Sequence, residues 1–336
     1  MIKNEGYNME KVLITGGAGY VGSHTVKELI KQGYSVVVYD NLSRGKKYLI
    51  DKRASFVQGD VGDRKKLDEV FKKYGVTAVI HFANFAYVDE SIKNPQMYYL
   101  NNVAKGLCLL RSMINNKVTK IIFSSSNVVY GEPKKIPISE KDELKPINPY
   151  GQTKLFFERI LEDYEKSYGL KYISLRYFNA CGASLDSSIG EDHDPEKRII
   201  PILIETALGI RKSFNLFGKD YKTKDGTCIR DYTHVLDLAE AHILALRRLE
   251  RDNKSNVYNV GSGRGYSIIQ LIKEVEKFSK KKINFSIAGR REGDPSILVA
   301  DNKKIKTELG WEPRHSDIKT IIASAWAWHQ KKNGKI

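Results

Sequence analysis

Short β-branched apolar runs at residues 11–15, 35–39, 55–58, 78–82, 120–124 and 172–176 alternate with stretches in which apolar side chains recur every three or four positions. The first kind fits strands buried on both faces, and the second fits helices with one buried stripe. Between the first two runs, residues 24–32 place Val26, Leu29 and Ile30 on one helical face, and Gly33 follows as a stop. Repeated in this order, the units predict an α/β fold, a Rossmann-type doubly wound parallel sheet with helices on both sides.

After Asn179 the rhythm changes. A loop over 182–195, rich in Gly, Asp and Pro, leads to a helical run and then to short mixed segments, so a smaller mixed C-terminal substrate-binding domain is expected. The helical pattern over 235–249 is expected to pack back on the first domain. The division that follows is a dinucleotide-binding domain over 10–180, joined by 235–260, and a mainly substrate-binding one over 181–336. Residues 1–9 read as a short disordered lead-in without the apolar core of a secretory signal.

Composition narrows the class. A 41% hydrophobic and 10% aromatic content supplies a core and argues against disorder despite 29% charged residues. The longest apolar stretch, 199–204, is broken at Glu205 and falls short of the roughly 20 residues that span a bilayer, so no membrane partner is expected. The net charge of +16 invites nucleic acid, yet the lysines are scattered as Lys65-Lys66, Lys72-Lys73 and Lys280-Lys281-Lys282 along helix faces. A solvated surface is the simpler account, and no nucleic-acid partner is expected. Cys108, Cys181 and Cys228 are odd in number and far apart, which suits neither a disulfide framework nor paired zinc ligands; a reducing cytoplasm and no metal are expected.

Three motifs carry chemistry. Gly16, Gly19 and Gly22 sit between the first strand and its helix, where a tight turn brings bare backbone to a pyrophosphate. By itself this is an ordinary glycine turn; Asp40, at the end of the second strand, strengthens it, because a carboxylate there accepts from the ribose 2′-hydroxyl of NAD and repels the extra phosphate of NADP. Asn41 follows rather than an arginine, although Arg44 is near, and Gly59-Asp60-Val61 places an acid where adenine would lie. Next, Tyr150 and Lys154 share a helix face at i, i+4. A free phenol has a pKa of about 10, and a neighbouring ammonium favours its phenolate, which makes Tyr150 a general-base candidate. A lone pair of this kind is more often a surface contact. Ser124-Ser125-Ser126 end the fifth strand, the edge from which such sheets address ligands, and the order of all three motifs along successive units makes the chemical reading the better one.

With these motifs in place the chain resembles the extended short-chain dehydrogenase/reductases and, among them, the UDP-glucose 4-epimerases, over residues 11–311. The shared features are 15–22, Asp40-Asn41-Leu42, His81-Phe82-Ala83, 124–126, Val129-Tyr130-Gly131, 149–154 and Arg176-Tyr177-Phe178-Asn179. More specific are Gly190-Glu191-Asp192, Asp225-Gly226-Thr227, Arg230-Asp231-Tyr232 and Arg290-Arg291-Glu292-Gly293-Asp294. The resemblance implies inversion of C4 in a UDP-sugar through a transient 4-keto sugar: Tyr150 takes the 4-hydroxyl proton, tightly held NAD accepts the C4 hydrogen, and the tethered sugar turns before receiving it back.

It further implies that Ser126, Tyr150 and Lys154 are catalytic. Gly16, Gly19, Tyr20, Val21, Gly22, Asp40, Asn41, Asp60, Val61, Phe82, Ala83, Asn101, Ser124 and Tyr177 would hold NAD together with Tyr150 and Lys154. Phe178, Asn179, Arg198, Phe217, Arg230, Arg291, Asp294 and Leu298 would hold the UDP-sugar beside Ser126 and Tyr150, with Arg suited to a diphosphate and Phe to a flat uracil. Relatives of this kind pair as homodimers.

The departures keep rivals open. Asn84-Phe85-Ala86-Tyr87 replaces a segment that carries a lysine in some members and is like that of enzymes acting on UDP-arabinose and UDP-xylose. Arg198 stands where an asparagine is common, and Leu298 stands where a tyrosine accompanies plain hexoses and small residues accompany N-acetyl sugars such as UDP-N-acetylglucosamine. A 4,6-dehydratase would need an Asp-Glu pair after the strand, where this chain has Ser126-Asn127-Val128. A silent NAD-binding module would commonly lack Tyr150 or Lys154.

Overall fold

A computed structural model describes residues 10–334, so the lead-in expected over 1–9 lies outside the described residues. The chain runs β1 (Lys11–Thr15), α1 (Tyr20–Lys31), β2 (Ser35–Asp40), β3 (Ser55–Gln58), α2 (Arg64–Tyr74), β4 (Ala78–His81), α3 (Val88–Lys93), α4 (Pro95–Tyr98), a π-helical stretch Tyr99–Ala104 continuing into α5 (Lys105–Asn115), β5 (Lys120–Ser126), α6 (Pro149–Tyr168) and β6 (Lys171–Tyr177). Then follow β7 (Asn179–Cys181), α7 (Ile199–Ala207), β8 (Phe214–Phe217), β9 (Ile229–His234), α8 (Val235–Asp252), β10 (Asn256–Val260), β11 (Gly265–Ser267), α9 (Ile268–Ser279), β12 (Phe285–Ala288), β13 (Ile297–Leu298), α10 (Lys303–Leu309) and α11 (Ile318–Lys332).

Seven strands form one parallel sheet in the order β10-β6-β5-β4-β1-β2-β3. Its alternating side chains feed two cores. Val12, Ile14, Val38 and Ile80 meet Val26 and Leu29 of α1 and Leu238 and Leu246 of α8. On the other face, Leu13, Val37, Val79 and Phe123 meet Leu67 of α2, Leu109 of α5 and Phe157 of α6. Full burial of each such side chain stabilises the fold by about 1.5–3 kcal/mol. A slip of one residue would exchange the two faces and clash both cores, which fixes the register.

Chain order reverses between β1 and β4, and a crevice opens at the carboxyl ends of those strands. Opposite it, β9 is the centre of a small mixed sheet, pairing with β7 and β13 in parallel and with β11 antiparallel, while β8 pairs with β12. Several boundaries differ from the pattern, two of them at the crevice. Helix α1 begins at Tyr20 rather than 24, because its first turn packs through Tyr20, Gly22 and Ser23, which leave no apolar periodicity. Strand β5 continues to Ser126, since the backbone ladder to β6 runs on through Ser126↔Tyr177 where the side chains have turned polar.

Candidate active site

The crevice is a cavity of about 1180 Å³. One wall is the carboxyl edge of β1, β4, β5 and β6; the other is built from 191–202, β8, β9 and 291–298.

The first wall starts at the turn after β1. Gly16 has φ +75°, and a Cβ on Gly22 would stand 2.3 Å from the Gly16 carbonyl oxygen, so both positions exclude a side chain. Helix α1 starts at Gly19 with no side-chain cap and no acid in its first turn, leaving N–H groups free for an anion. Asp40 accepts from the backbone N–H of Ala18 at 3.0 Å and of Leu42 at 2.8 Å. Burial pushes its carboxyl above the ordinary value, and the two N–H groups oppose that rise. Asp60 accepts from Asn41 at 2.9 Å and pairs with Lys105 at 2.7 Å; burial opposes its charge, yet these partners leave its carboxyl below the usual range. Arg44 pairs with Glu90 at 2.5 Å and lies 5.0 Å over the Phe85 ring.

Helix α6 begins at Pro149, with Asn148 Oδ1 accepting from Gly151 N at 2.9 Å, and this cap aims the first turn into the cavity. Tyr150 and Lys154 are buried on its inner face. Burial pushes the Tyr150 phenol up, while a hydrogen bond with Ser126 and the charge of Arg198 pull it down. The i, i+4 spacing predicts Lys154 as the stabilising charge, and the structure places both side chains on this one face. Lys154 Nζ lies 5.8 Å from the Tyr150 ring centre and donates to the Ser124 carbonyl at 2.6 Å. Burial lowers its pKa to about 7 against the opposing pull of Glu158. Tyr20 donates to the Gly182 carbonyl at 2.5 Å, Tyr177 bonds His242, and Phe82 packs on His242 at 4.7 Å, which fixes the rings that line this wall.

The second wall is charged. Arg230 is buried, paired with Asp294 and bonded to the carbonyls of Ile229 at 2.8 Å and Pro295 at 2.5 Å. Arg291 sits 4.1 Å over the Phe217 ring. Arg198 Nε pairs with Glu191 at 2.8 Å, and its guanidinium lies 5.9 Å from the Tyr20 ring. Phe178 and Leu298 close the floor with Val129, Tyr130 and Ile138, and Asn179 opens β7 beside them.

Of the predicted site residues, Gly16, Gly19, Tyr20, Val21, Gly22, Phe82, Ser124, Ser126, Tyr150, Lys154, Tyr177, Phe178, Asn179, Arg198, Phe217, Arg230, Arg291, Asp294 and Leu298 line this one cavity. Asp40, Asn41, Asp60, Val61, Ala83 and Asn101 do not reach its wall. Asp40, Asn41 and Asp60 form a linked cluster past β2 and β3, Val61 is in the core with Leu67, Ala83 backs the Gly16 turn, and Asn101 bonds Asn102 at 3.1 Å. Sequence reasoning missed Glu191, His193 and Glu196, which converge on the second wall with ligand-capable atoms within 4.8 Å of one another. Glu191 belongs to the Gly190-Glu191-Asp192 motif, and five ionisable residues among the six at 191–196 were the signal available. Arg198 already gives this cluster a positive charge. Cys181 and Cys228 also face the cavity, and burial pushes both thiols up.

An uncapped helix start above a glycine turn, with a carboxylate fixed by two N–H groups beyond it, is a donor and acceptor set that fits a dinucleotide. The model of the NAD dependent epimerase/dehydratase family matches residues 12–261. A UDP-glucose 4-epimerase of Lacticaseibacillus casei is 47% identical over 319 residues, which cover 95% of this chain and 96% of the relative. The crystal structure of UDP-glucose 4-epimerase from Brucella ovis in complex with NAD superposes with a TM-score of 0.91 at 45% identity, covering 94% of this chain and 97% of that one. That of the Bifidobacterium longum enzyme in complex with NAD+ and UDP gives 0.91 at 39% identity, covering 96% and 99%.

Proposed function

This chain belongs to the NAD dependent epimerase/dehydratase family, and we propose that it inverts C4 of a UDP-hexose, interconverting UDP-glucose and UDP-galactose with tightly bound NAD. The observation that carries the reading is one cavity with a glycine-turn wall on one side, a wall of Arg198, the buried Arg230 and Arg291 on the other, and the Tyr150 phenol between them. Gly16, Gly19, Gly22 and the start of α1 would hold the pyrophosphate of NAD, with Asp40 at the adenosine ribose and Lys154 and Tyr177 toward the nicotinamide end. Bound there, NAD supplies reversible acceptance of hydrogen from C4.

The protein's own residues do the rest. Tyr150 moves the proton of the 4-hydroxyl, and Ser126 shares a hydrogen bond with the same oxygen and with the phenol. Arg230, Arg291 and Arg198 carry the diphosphate end, far enough from C4 that the sugar turns while the nucleotide stays held. Ser126-Asn127-Val128 supplies no carboxylate to eliminate water, which separates this chain from the dehydratases.

Two further readings belong here. Leu100, Leu107 and Phe156 are exposed on the π-helical stretch, α5 and α6, a face suited to a second copy, and sedimentation of the purified protein measures whether it pairs. Three unpaired cysteines fit a reducing cytoplasm, which fractionation of the source cells checks. The activity itself is tested by adding UDP-galactose to purified protein that has kept its NAD. UDP-glucose is the expected product, and its absence would remove the reading; UDP-N-acetylgalactosamine and UDP-arabinose run alongside rank the sugars.

A further inference from the structure

Among the described residues, five atoms on the cavity wall are buried without a hydrogen-bond partner. Glu191 Oε1 and His193 Nδ1 face each other at 3.0 Å, so each has the other as a polar neighbour. Asn84 Oδ1, Tyr232 Oη and Asn127 Nδ2 have no such company. Asn127 is the instructive one because of where the chain puts it. It follows Ser126 directly, in the single turn Asn127–Tyr130 that ends β5, and it is only 5% exposed. Its carbonyl end accepts from Ser126 Oγ at 3.4 Å. Its amide end, a donor with two hydrogens, is left unmatched beside the group that addresses the reacting hydroxyl.

A buried donor of this kind is costly to leave unpaired, so a cavity that keeps one is shaped for an acceptor. In a pyranose that reacts at C4, the acceptors nearest the reacting oxygen are the 3-hydroxyl and the hydroxymethyl on C5. We propose that Asn127 is a specificity-determining contact, its amide donating to one of these two flanking hydroxyls. The inference rests on the C4-epimerase reading above. An amide suits the task where a carboxyl would not: it binds the hydroxyl but cannot hand it a proton, so water is not expelled from the 4-keto sugar.

The test is a set of kcat/KM ratios for the NAD-loaded protein with UDP-galactose and with its 3-deoxy and 6-deoxy analogues. Wild type should lose about tenfold to a hundredfold with one analogue and little with the other, which identifies the hydroxyl. Asn127→Ala should lose a similar factor with UDP-galactose and no more when that hydroxyl is missing. Its dissociation constant for UDP should match wild type, which a collapsed site would not allow. If wild type uses both analogues as well as the parent, the inference falls without any variant being made. It falls equally if Asn127→Ala, or Asn127→Ser where the alanine form does not fold, keeps the wild-type ratios. A wild type inactive on UDP-galactose removes the epimerase reading itself, a different result from an active enzyme with unchanged ratios.

Discussion

The two walls of the cavity bind by different means. On the cofactor side the working groups are backbone: a glycine turn, the first N–H groups of α1, and two N–H groups that immobilise Asp40. On the UDP side they are guanidinium groups, each already engaged with a protein partner: Arg230 with Asp294, Arg198 with Glu191, Arg291 with the Phe217 ring. A backbone wall is made by the fold and fails only when geometry fails. A side-chain wall is made by exchangeable charges, so it is adjusted one residue at a time. Between the two stands Tyr150, whose proton affinity is raised by burial and lowered by the Ser126 hydrogen bond and the charge of Arg198.

The largest effect should come from the group between the walls. Tyr150→Phe leaves ring, helix and both walls in place and removes the one atom that moves the proton. Turnover of UDP-galactose should fall by about 10²–10⁴ while NAD and UDP remain bound, read by steady-state rates and by cofactor content after gel filtration. Retained turnover would mean that the phenol is not the base and that the division into two walls misplaces the chemistry.

A smaller loss should come from the UDP wall alone. Arg230→Met removes the guanidinium proposed to meet the diphosphate, and losing one partner of a buried charge pair across a binding interface costs about 2–5 kcal/mol. That corresponds to a weakening of about 30-fold or more in the dissociation constant for UDP. NAD retention should not change, because no group of the cofactor wall is touched. Loss of both ligands together would show that the walls are not independent.

How much could be read from the chain follows the same division. The cofactor wall is written largely locally: strand, turn and helix succeed one another within Lys11–Thr15 and Tyr20–Lys31, and Asp40 ends the next strand, so spacing finds the turn and the acid even where periodicity misses the first turn of α1. The UDP wall is assembled from distant pieces. Arg230 meets Asp294 across 64 positions, and Arg291 meets Phe217 across 74, so it was accessible only through resemblance. Two features escaped altogether. Periodicity has no term for desolvation, so the lowered Lys154 ammonium could not be foreseen from its spacing to Tyr150. The convergence of Glu191, His193 and Glu196 depends on how an irregular loop folds over, which no periodicity records.

That loop supplies the smallest effect and the sharpest probe of how the UDP wall stores charge. Glu196 accepts from the backbone N–H of Lys197 at 2.9 Å and of Arg198 at 2.8 Å, but burial, and then the nearby Glu191, push its carboxyl from the ordinary 4.5 up to about 8. The folded chain therefore holds this proton more tightly than the unfolded chain, and folding takes up a proton between those two values. The stabilisation is complete below about pH 4.5 and is lost as pH rises through about 8. Glu196→Gln keeps the shape and the neutral state at every pH. It should approach wild type near pH 5 and be the more stable protein near pH 8.5, read as a gap between the two denaturation midpoints that widens across that range. Parallel curves for the two proteins would mean that Glu196 is already ionised at neutral pH, with Arg198 shared between two carboxylates rather than committed to Glu191.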